Sequence, residues 1–173
     1  SEAEEKRLYK VLDKQTGYFP VFVHTLLNTG CRPNECKNLK WDAVNLQTEM
    51  ISVHAAYSKT GNSRHIPMNK TITAILTAWK KEQGGSSDWL FPNENNDGAL
   101  VTVQKPWQKT IKAAKVKNFR MYDCRHTFAS KLAMAGVSIY EIAELLGHSN
   151  IEMTKIYAHL SPDYLKRAVN LLD

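Results

Sequence analysis

The sequence predicts an α+β domain, mostly helical, with a small antiparallel sheet or hairpin. Three observations carry that reading. Apolar residues recur at helical spacing over most of the chain, behind a series of residues suited to capping helices. One stretch, MISVHAAY at 50–57, is instead rich in strand formers. It runs into a turn signal, SKTGNS, and a second short run, RHIPM. The 173 residues suit one domain, and a hydrophobic content of 43% is enough for a proper core.

The elements follow in order. Ser1 with Glu4 forms a capping-box pattern ahead of a helix over 2–14. A chain that opens straight into a helix reads as a fragment of a longer protein. Helical spacing returns over 20–29, and Pro33 sits where a first-turn proline is tolerated, so another helix starts there. The hairpin then places Lys59 near its tip and ends at Pro67. Asn69 can cap a helix running to about Gln83, and GGSSD is a connector.

The second half reads as nearly all helix. Thr102 opens one helix, with Pro106 a difficulty near its first turn. Tyr122 to Ala135 is another. Ser138 caps a third that stops at Gly147, and Asn150 caps the one expected to hold Tyr157. Ser161-Pro162-Asp163 starts a tail helix over 161–173. Its Leu165, Ala168, Val169 and Leu172 share one face.

The totals narrow the function. No apolar run approaches a membrane span, no signal peptide opens the chain, and the three cysteines read most simply as reduced thiols in a cytoplasmic compartment. The formal net charge is +6 and the pI is about 9.2, which favours a polyanionic partner. Cys31, Cys36 and Cys124 are an odd count without a CxxC pair, which indicates neither a disulfide framework nor a zinc site. No cofactor or metal is expected. Lys105, Lys109, Lys112, Lys115, Lys117 and Arg120 form a basic run, either a solvated face or a set of phosphate contacts.

Four separated stretches carry the chemistry. In TGCRPNE, at 29–35, Arg32 stands at a helix start with Glu35 three residues on, so their side chains can meet. In MYDCRHTFAS, at 121–130, Arg125 lies on a helix whose Phe128, Leu132 and Ala135 look buried. The hairpin supplies Lys59, and LGHSNIEMTKIYAHL, at 146–160, supplies His148 and Tyr157. Each has an ordinary structural reading: a surface ion pair, an arginine paired with an acid such as Asp123, an exposed turn lysine, a capping histidine and a core tyrosine.

Together they describe phosphoryl transfer. Two arginine forks can clamp the non-bridging oxygens of a phosphodiester, and a tyrosine can attack its phosphorus and hold it as a covalent ester. A phenol ionises near pH 10 unperturbed, so nearby positive charge or a base must help it. A lysine can protonate the leaving alkoxide, and a histidine can donate to a phosphoryl oxygen. Arginines neutralise the developing charge, so no metal is needed.

At this point the four stretches resemble the boxes of the tyrosine recombinases, the phage-integrase family, in the family's order and over nearly the whole chain. The resemblance implies the catalytic-domain fold of that family over residues 1–173, without the separate N-terminal domain that grips the other side of the duplex. It implies site-specific cleavage and rejoining of double-stranded DNA through a 3′-phosphotyrosine, without metal or ATP. Arg32 and Arg125 would clamp the phosphate, Lys59 would be the general acid, His148 a phosphate donor and Tyr157 the nucleophile, with Glu35 supporting Arg32. One position departs: the family's second box usually has a histidine three residues before its arginine, and here Tyr122 stands there. A tyrosine can still hydrogen-bond a phosphate oxygen but cannot readily shuttle a proton near neutral pH.

The resemblance also implies a tetramer of the full-length protein on DNA, associated with the nucleoid of a bacterial host and joined through its tail segments. The domain alone is expected to be a monomer with its tail folded back. Two other readings stand beside this one. VSIYEIAELLGHSNIEMTKIYAHL also scans as a helix-turn-helix of a transcription regulator. A regulatory DNA-binding relative, catalytically weakened at Tyr122, would keep the fold and lose the reaction.

Overall fold

The computed structural model describes residues 1–54, 63–95, 97–161 and 169–172. Lys59 with its hairpin turn, and the start of the tail helix at 162–168, lie outside the described residues.

Helix α1 (Glu2–Leu12) begins with the expected capping box: Ser1 Oγ accepts from the Glu4 N–H, while the Glu4 carboxylate bonds back to the Ser1 amine. Its Leu8 and Leu12 are buried against the rest of the molecule. Helix α2 (Tyr18–Thr29) is the spine of the core. Phe22, Val23 and Leu26 are wholly buried on it, and it packs against both α4 (Lys70–Gln83) and α6 (Asp123–Met134). Helix α3 (Pro33–Lys37) is a single short turn begun by its proline.

The sheet has three strands rather than a bare hairpin. β1 (Val44–Asn45), β2 (Met50–Val53) and β3 (Arg64–Pro67) are antiparallel in the order β1-β2-β3. Ile51 pairs with Ile66 and both face the core, while Val53 pairs with Arg64. β1 is two residues long, too short for any periodicity to reveal it.

Asn69 caps α4 as expected, its side chain accepting from the Ile72 N–H. Helix α5 (Gln104–Ala113) starts two residues after Thr102, whose Oγ1 accepts from the Gln104 N–H. Pro106 is therefore harmless: it lies in the first turn, where a backbone N–H would have no helical acceptor. Helix α7 (Ile139–Leu146) opens with a Ser138–Glu141 capping box and closes at Gly147, in the left-handed region at φ 66°.

One element is shorter than its pattern. Helix α8 covers only Glu152–Lys155, and Tyr157 lies just beyond it rather than within it. The backbone tightens there: the Tyr157 N–H bonds to Thr154 O and the Leu160 N–H to Tyr157 O, three residues back, giving a 3₁₀ turn over Ala158–Leu160. A four-residue α8 is too short for a recognition helix, which removes the helix-turn-helix reading. In the tail, Asn170–Leu172 form another 3₁₀ turn, with Val169 and Leu172 65% and 87% exposed instead of packed in cis.

The interior divides in two. A large core runs from Leu8 to Cys124 and contains the three cysteines, all free and buried. A small second cluster holds Ala129, Ala133, Ile142, Leu146 and Tyr157, edged by Phe128, Leu132, Val137 and Leu160. Among the described residues, no helix is long and apolar enough to cross a membrane.

Candidate active site

Three helix ends meet at the site, and a glycine lets them. Gly30 ends α2 at φ 64°, and a Cβ there would stand 2.4 Å from Phe128 Cδ1. Any other residue would be strained by the backbone and pushed against α6. This close approach brings Arg125, on α6, under the turn. Its Nη1 donates to Gly30 O at 2.9 Å and its Nη2 to Leu146 O at 2.6 Å. Both carbonyls belong to helix C-termini, which lack intrahelical donors and carry the negative end of the helix dipole. Asp123 is not its partner; that carboxylate bonds Arg120 instead, through the backbone N–H at 2.7 Å and Nη2 at 3.1 Å. The reason is direction, since Arg125 points into the molecule, only 2% exposed, and Asp123 points along the surface toward Arg120. Burial, helped by the charge of Arg32, pulls the Arg125 guanidinium down to about 10, so it stays charged at neutral pH.

The Arg32–Glu35 pair is buried, not superficial. Glu35 is 1% exposed and accepts four hydrogen bonds: from the Arg32 backbone N–H at 2.8 Å, from Arg32 Nη1 at 2.8 Å, and from the two prongs of Arg64 at 3.1 and 2.7 Å. Burial pushes its carboxyl up, but the bonds and charges of Arg64 and Arg32 outweigh that and hold it below the ordinary range. Arg64 also donates through Nε to Leu145 O at 3.2 Å, beside the carbonyl that takes Arg125. Three guanidiniums thus converge around a single carboxylate. Such a cluster holds excess positive charge in a half-buried place, an arrangement suited to an anion with several oxygens.

His148 follows the Gly147 stop and is half-buried, with Nδ1 2.7 Å from Thr154 Oγ1. Burial first, then Arg125, Arg32 and Arg64, pull its ring down to about 4, so the imidazole is neutral at physiological pH. Tyr157 is 5% exposed, and its Oη lies 2.6 Å from Nδ1 of His126 on α6. Burial pushes the phenol above its ordinary value, against the opposing pull of Arg125. Tyr122 caps α6, is 40% exposed, and stands edge-on to the His126 ring at 5.4 Å.

Arg32, Glu35, Tyr122, Arg125, His148 and Tyr157 are therefore gathered around one place, while Lys59 lies outside the described residues. Arg64, His126 and Thr154 belong there too and were not singled out from the sequence. Arg64 had no visible partner, because the pattern of a short strand does not show which buried acid it will meet. His126 stands beside Arg125 in the same box, and that adjacency was the available signal. Among the described residues, no group of three or more His, Cys, Asp or Glu is placed to hold a metal ion.

The model of the Phage integrase family matches residues 1–163. The chain belongs to that family. It is 31% identical over 163 residues to the integrase of Salmonella phage P22, covering 87% of this chain and 41% of that one. It is 29% identical to the tyrosine recombinase XerA of Pyrococcus horikoshii, covering 98% of this chain and 59% of the relative. The integrase-family chain thus spans about half the length of these two relatives. Among solved structures, a XerA recombinase superposes with a TM-score of 0.80 at 28% identity, covering 99% of this chain and 63% of the other. The catalytic domain of bacteriophage HP1 integrase superposes at 0.71 and 25% identity, covering 96% of this chain and 91% of that domain.

Proposed function

We propose that this integrase-family chain is the catalytic domain of a site-specific DNA recombinase that cleaves and rejoins strands through a covalent 3′-phosphotyrosine. The observation that carries the reading is the convergence of Arg32, Arg64 and Arg125 around one carboxylate beside a buried tyrosine. A scissile phosphodiester is an anion that matches this positive cluster. Arg32 and Arg125 clamp its non-bridging oxygens. Glu35 keeps Arg32 in place. His148, with Thr154 donating to Nδ1, carries its proton on Nε2 and donates it to a phosphoryl oxygen. Tyr157 attacks the phosphorus, Lys59 protonates the leaving 5′ oxygen, and Tyr122 adds a hydrogen bond to phosphate in place of the family's usual histidine. One phosphodiester is exchanged for another of similar energy, so neither ATP nor a metal is required.

The partner is double-stranded DNA, met by the exposed basic side chains of α5 and the loop after it. XerH, which shares the fold at a TM-score of 0.75, was solved bound to its difH substrate. The full-length protein works as a tetramer on DNA, near the nucleoid, and the isolated domain is a monomer because its net charge of +6 opposes self-association. The test uses a pool of nicked duplexes of random sequence and recovers adducts that survive denaturation. Attachment in EDTA that is lost in Tyr157→Phe supports the reading. Attachment that persists in Tyr157→Phe, or that requires magnesium, overturns it.

A further inference from the structure

We propose that His126 is the general base of the cleavage step, taking the Tyr157 phenol proton on Nδ1 as the phenol attacks. The inference rests on Tyr157 being the nucleophile and adds a residue to that site. Four observations carry it.

Nδ1 stands 2.6 Å from Tyr157 Oη, inside the reach a base needs. The other imidazole of the site is engaged elsewhere, with His148 Nδ1 bonded to Thr154. The phenol needs an acceptor, because burial raises it and Arg125 does not compensate. Finally, His126 cannot swing freely: Tyr122 meets its ring edge-on at 5.4 Å and the Tyr157 ring lies 6.1 Å from it. One helix therefore carries Arg125 toward the phosphate and, one residue later, the acceptor toward the nucleophile.

Charged and aromatic groups face His126 from several elements. On its own helix, the Asp123 carboxylate attracts a charged imidazole, though Arg120 already shares that carboxylate. Tyr122 and Tyr157 face it as neutral rings. His148, from the turn after α7, faces it as a neutral ring, with Arg125, Arg32 and Arg64 grouped around His148.

The step balances. The Tyr157 Oη–phosphorus bond forms while the bond from phosphorus to the 5′ oxygen breaks. The phenol proton goes to His126, and the 5′ oxygen takes one from the general acid, assigned above to Lys59. On resealing, the 5′ hydroxyl attacks, its proton returns to that acid, and the departing phenolate recovers its own from His126. Nothing is oxidised or reduced.

Two measurements test this. The first needs no DNA: ¹⁵N NMR of the imidazoles in the free chain. His126 should show an unprotonated Nδ1 that accepts a hydrogen bond, with a shift lost in Tyr157→Phe. A protonated Nδ1 at neutral pH would overturn the proposal, since it could accept nothing. The second uses the duplexes recovered from the random pool. His126→Asn keeps an acceptor oxygen near the position of Nδ1 but cannot take the proton, so attachment should slow by roughly 10²–10⁴-fold. Replacing Tyr157 by difluorotyrosine, a more acidic phenol, should restore most of that loss. A His126→Asn variant that cleaves at the normal rate, or a loss that the fluorinated phenol leaves untouched, sinks the base role. Adduct in Tyr157→Phe would instead sink the nucleophile assignment, a separate result.

Discussion

The two hydrophobic clusters of this protein are built differently. The larger buries Phe22, Val23, Leu26, Ile66, Ile72, Leu76, Leu90 and Phe91 completely, with Phe22 and Phe91 packed edge-to-face at 5.1 Å. The smaller is centred on two alanines, Ile142, Leu146 and Tyr157 itself, and its surroundings expose Met134, Tyr140, Met153 and Ile156. Arg32 and Glu35 stand next to Cys31 and Cys36 of the first, and the Gly30 carbonyl precedes Cys31. Tyr157 stands on the second, and Arg125 ties them through one hydrogen bond to each side. Buried apolar surface is the main favourable term in folding, so Arg32 and Glu35 rest beside the firm part and Tyr157 on the weaker one. For the proposed reaction, such a division would let Tyr157 move while the arginines stay in place.

The largest expected effect comes from cutting the tie. Arg125→Lys keeps the charge but loses the planar fork, so it cannot bond Gly30 O and Leu146 O while also facing a phosphate. Covalent attachment should fall by roughly 10²–10³-fold, the cost of losing one well-placed donor to a developing charge. The adduct assay with single-turnover sampling measures it. A lysine variant that attaches at the normal rate would mean the two clusters are not coupled through this side chain.

The next effect compares the clusters directly. Phe22→Ala, in the large core, should cost about 3–5 kcal/mol of global stability, and Ile142→Ala, in the small one, should fall at the low end of about 2–5 kcal/mol. Urea midpoints give the two costs. Hydrogen exchange then sharpens the comparison: amides of α7 and α8 should open well below the global free energy, and those of α2 only with it. Equal protection of both regions would break the distinction.

Much of this arrangement was legible in the sequence. The caps at Ser1, Asn69 and Ser138 and the stop at Gly147 fell where the residues indicated, because capping is a local matter of one side chain and one backbone N–H. Three of the four boxes, those of Arg32, Arg125 and His148 with Tyr157, meet at one place because each sets its residue near a helix end or start. What could not be read was non-local. Arg64 finds Glu35 across 29 positions, and His126 finds Tyr157 across 31. Asp123 instead takes a local partner, Arg120 three residues back, because burial turns Arg125 inward to two distant carbonyls. The length of α8 escaped too, since the apolar spacing of a 3₁₀ turn is close to that of a helix.

The smallest expected effect concerns pH and the seam between the clusters. His148 falls from an ordinary value of 6.5 to about 4 in the folded chain. The unfolded chain therefore takes up this proton first as the pH drops. The native state accepts it only near the lower value, so stability present above about 6.5 is lost progressively down to about 4 and no further from this group. The full shift would be worth about 3 kcal/mol, but the ring is half-exposed and solvent screening cuts that to about 1 kcal/mol. His24, also lowered by burial, contributes in the same direction, so the wild type must be compared with His148→Asn, which still carries it. Urea midpoints across that pH window should fall more steeply for the wild type than for the variant. Excess sulfate, seated among Arg32, Arg64 and Arg125, should offset the positive charge that depresses His148 and flatten the difference. Equal slopes in the two proteins would mean that neither burial nor the arginines lower the His148 imidazole in the folded chain.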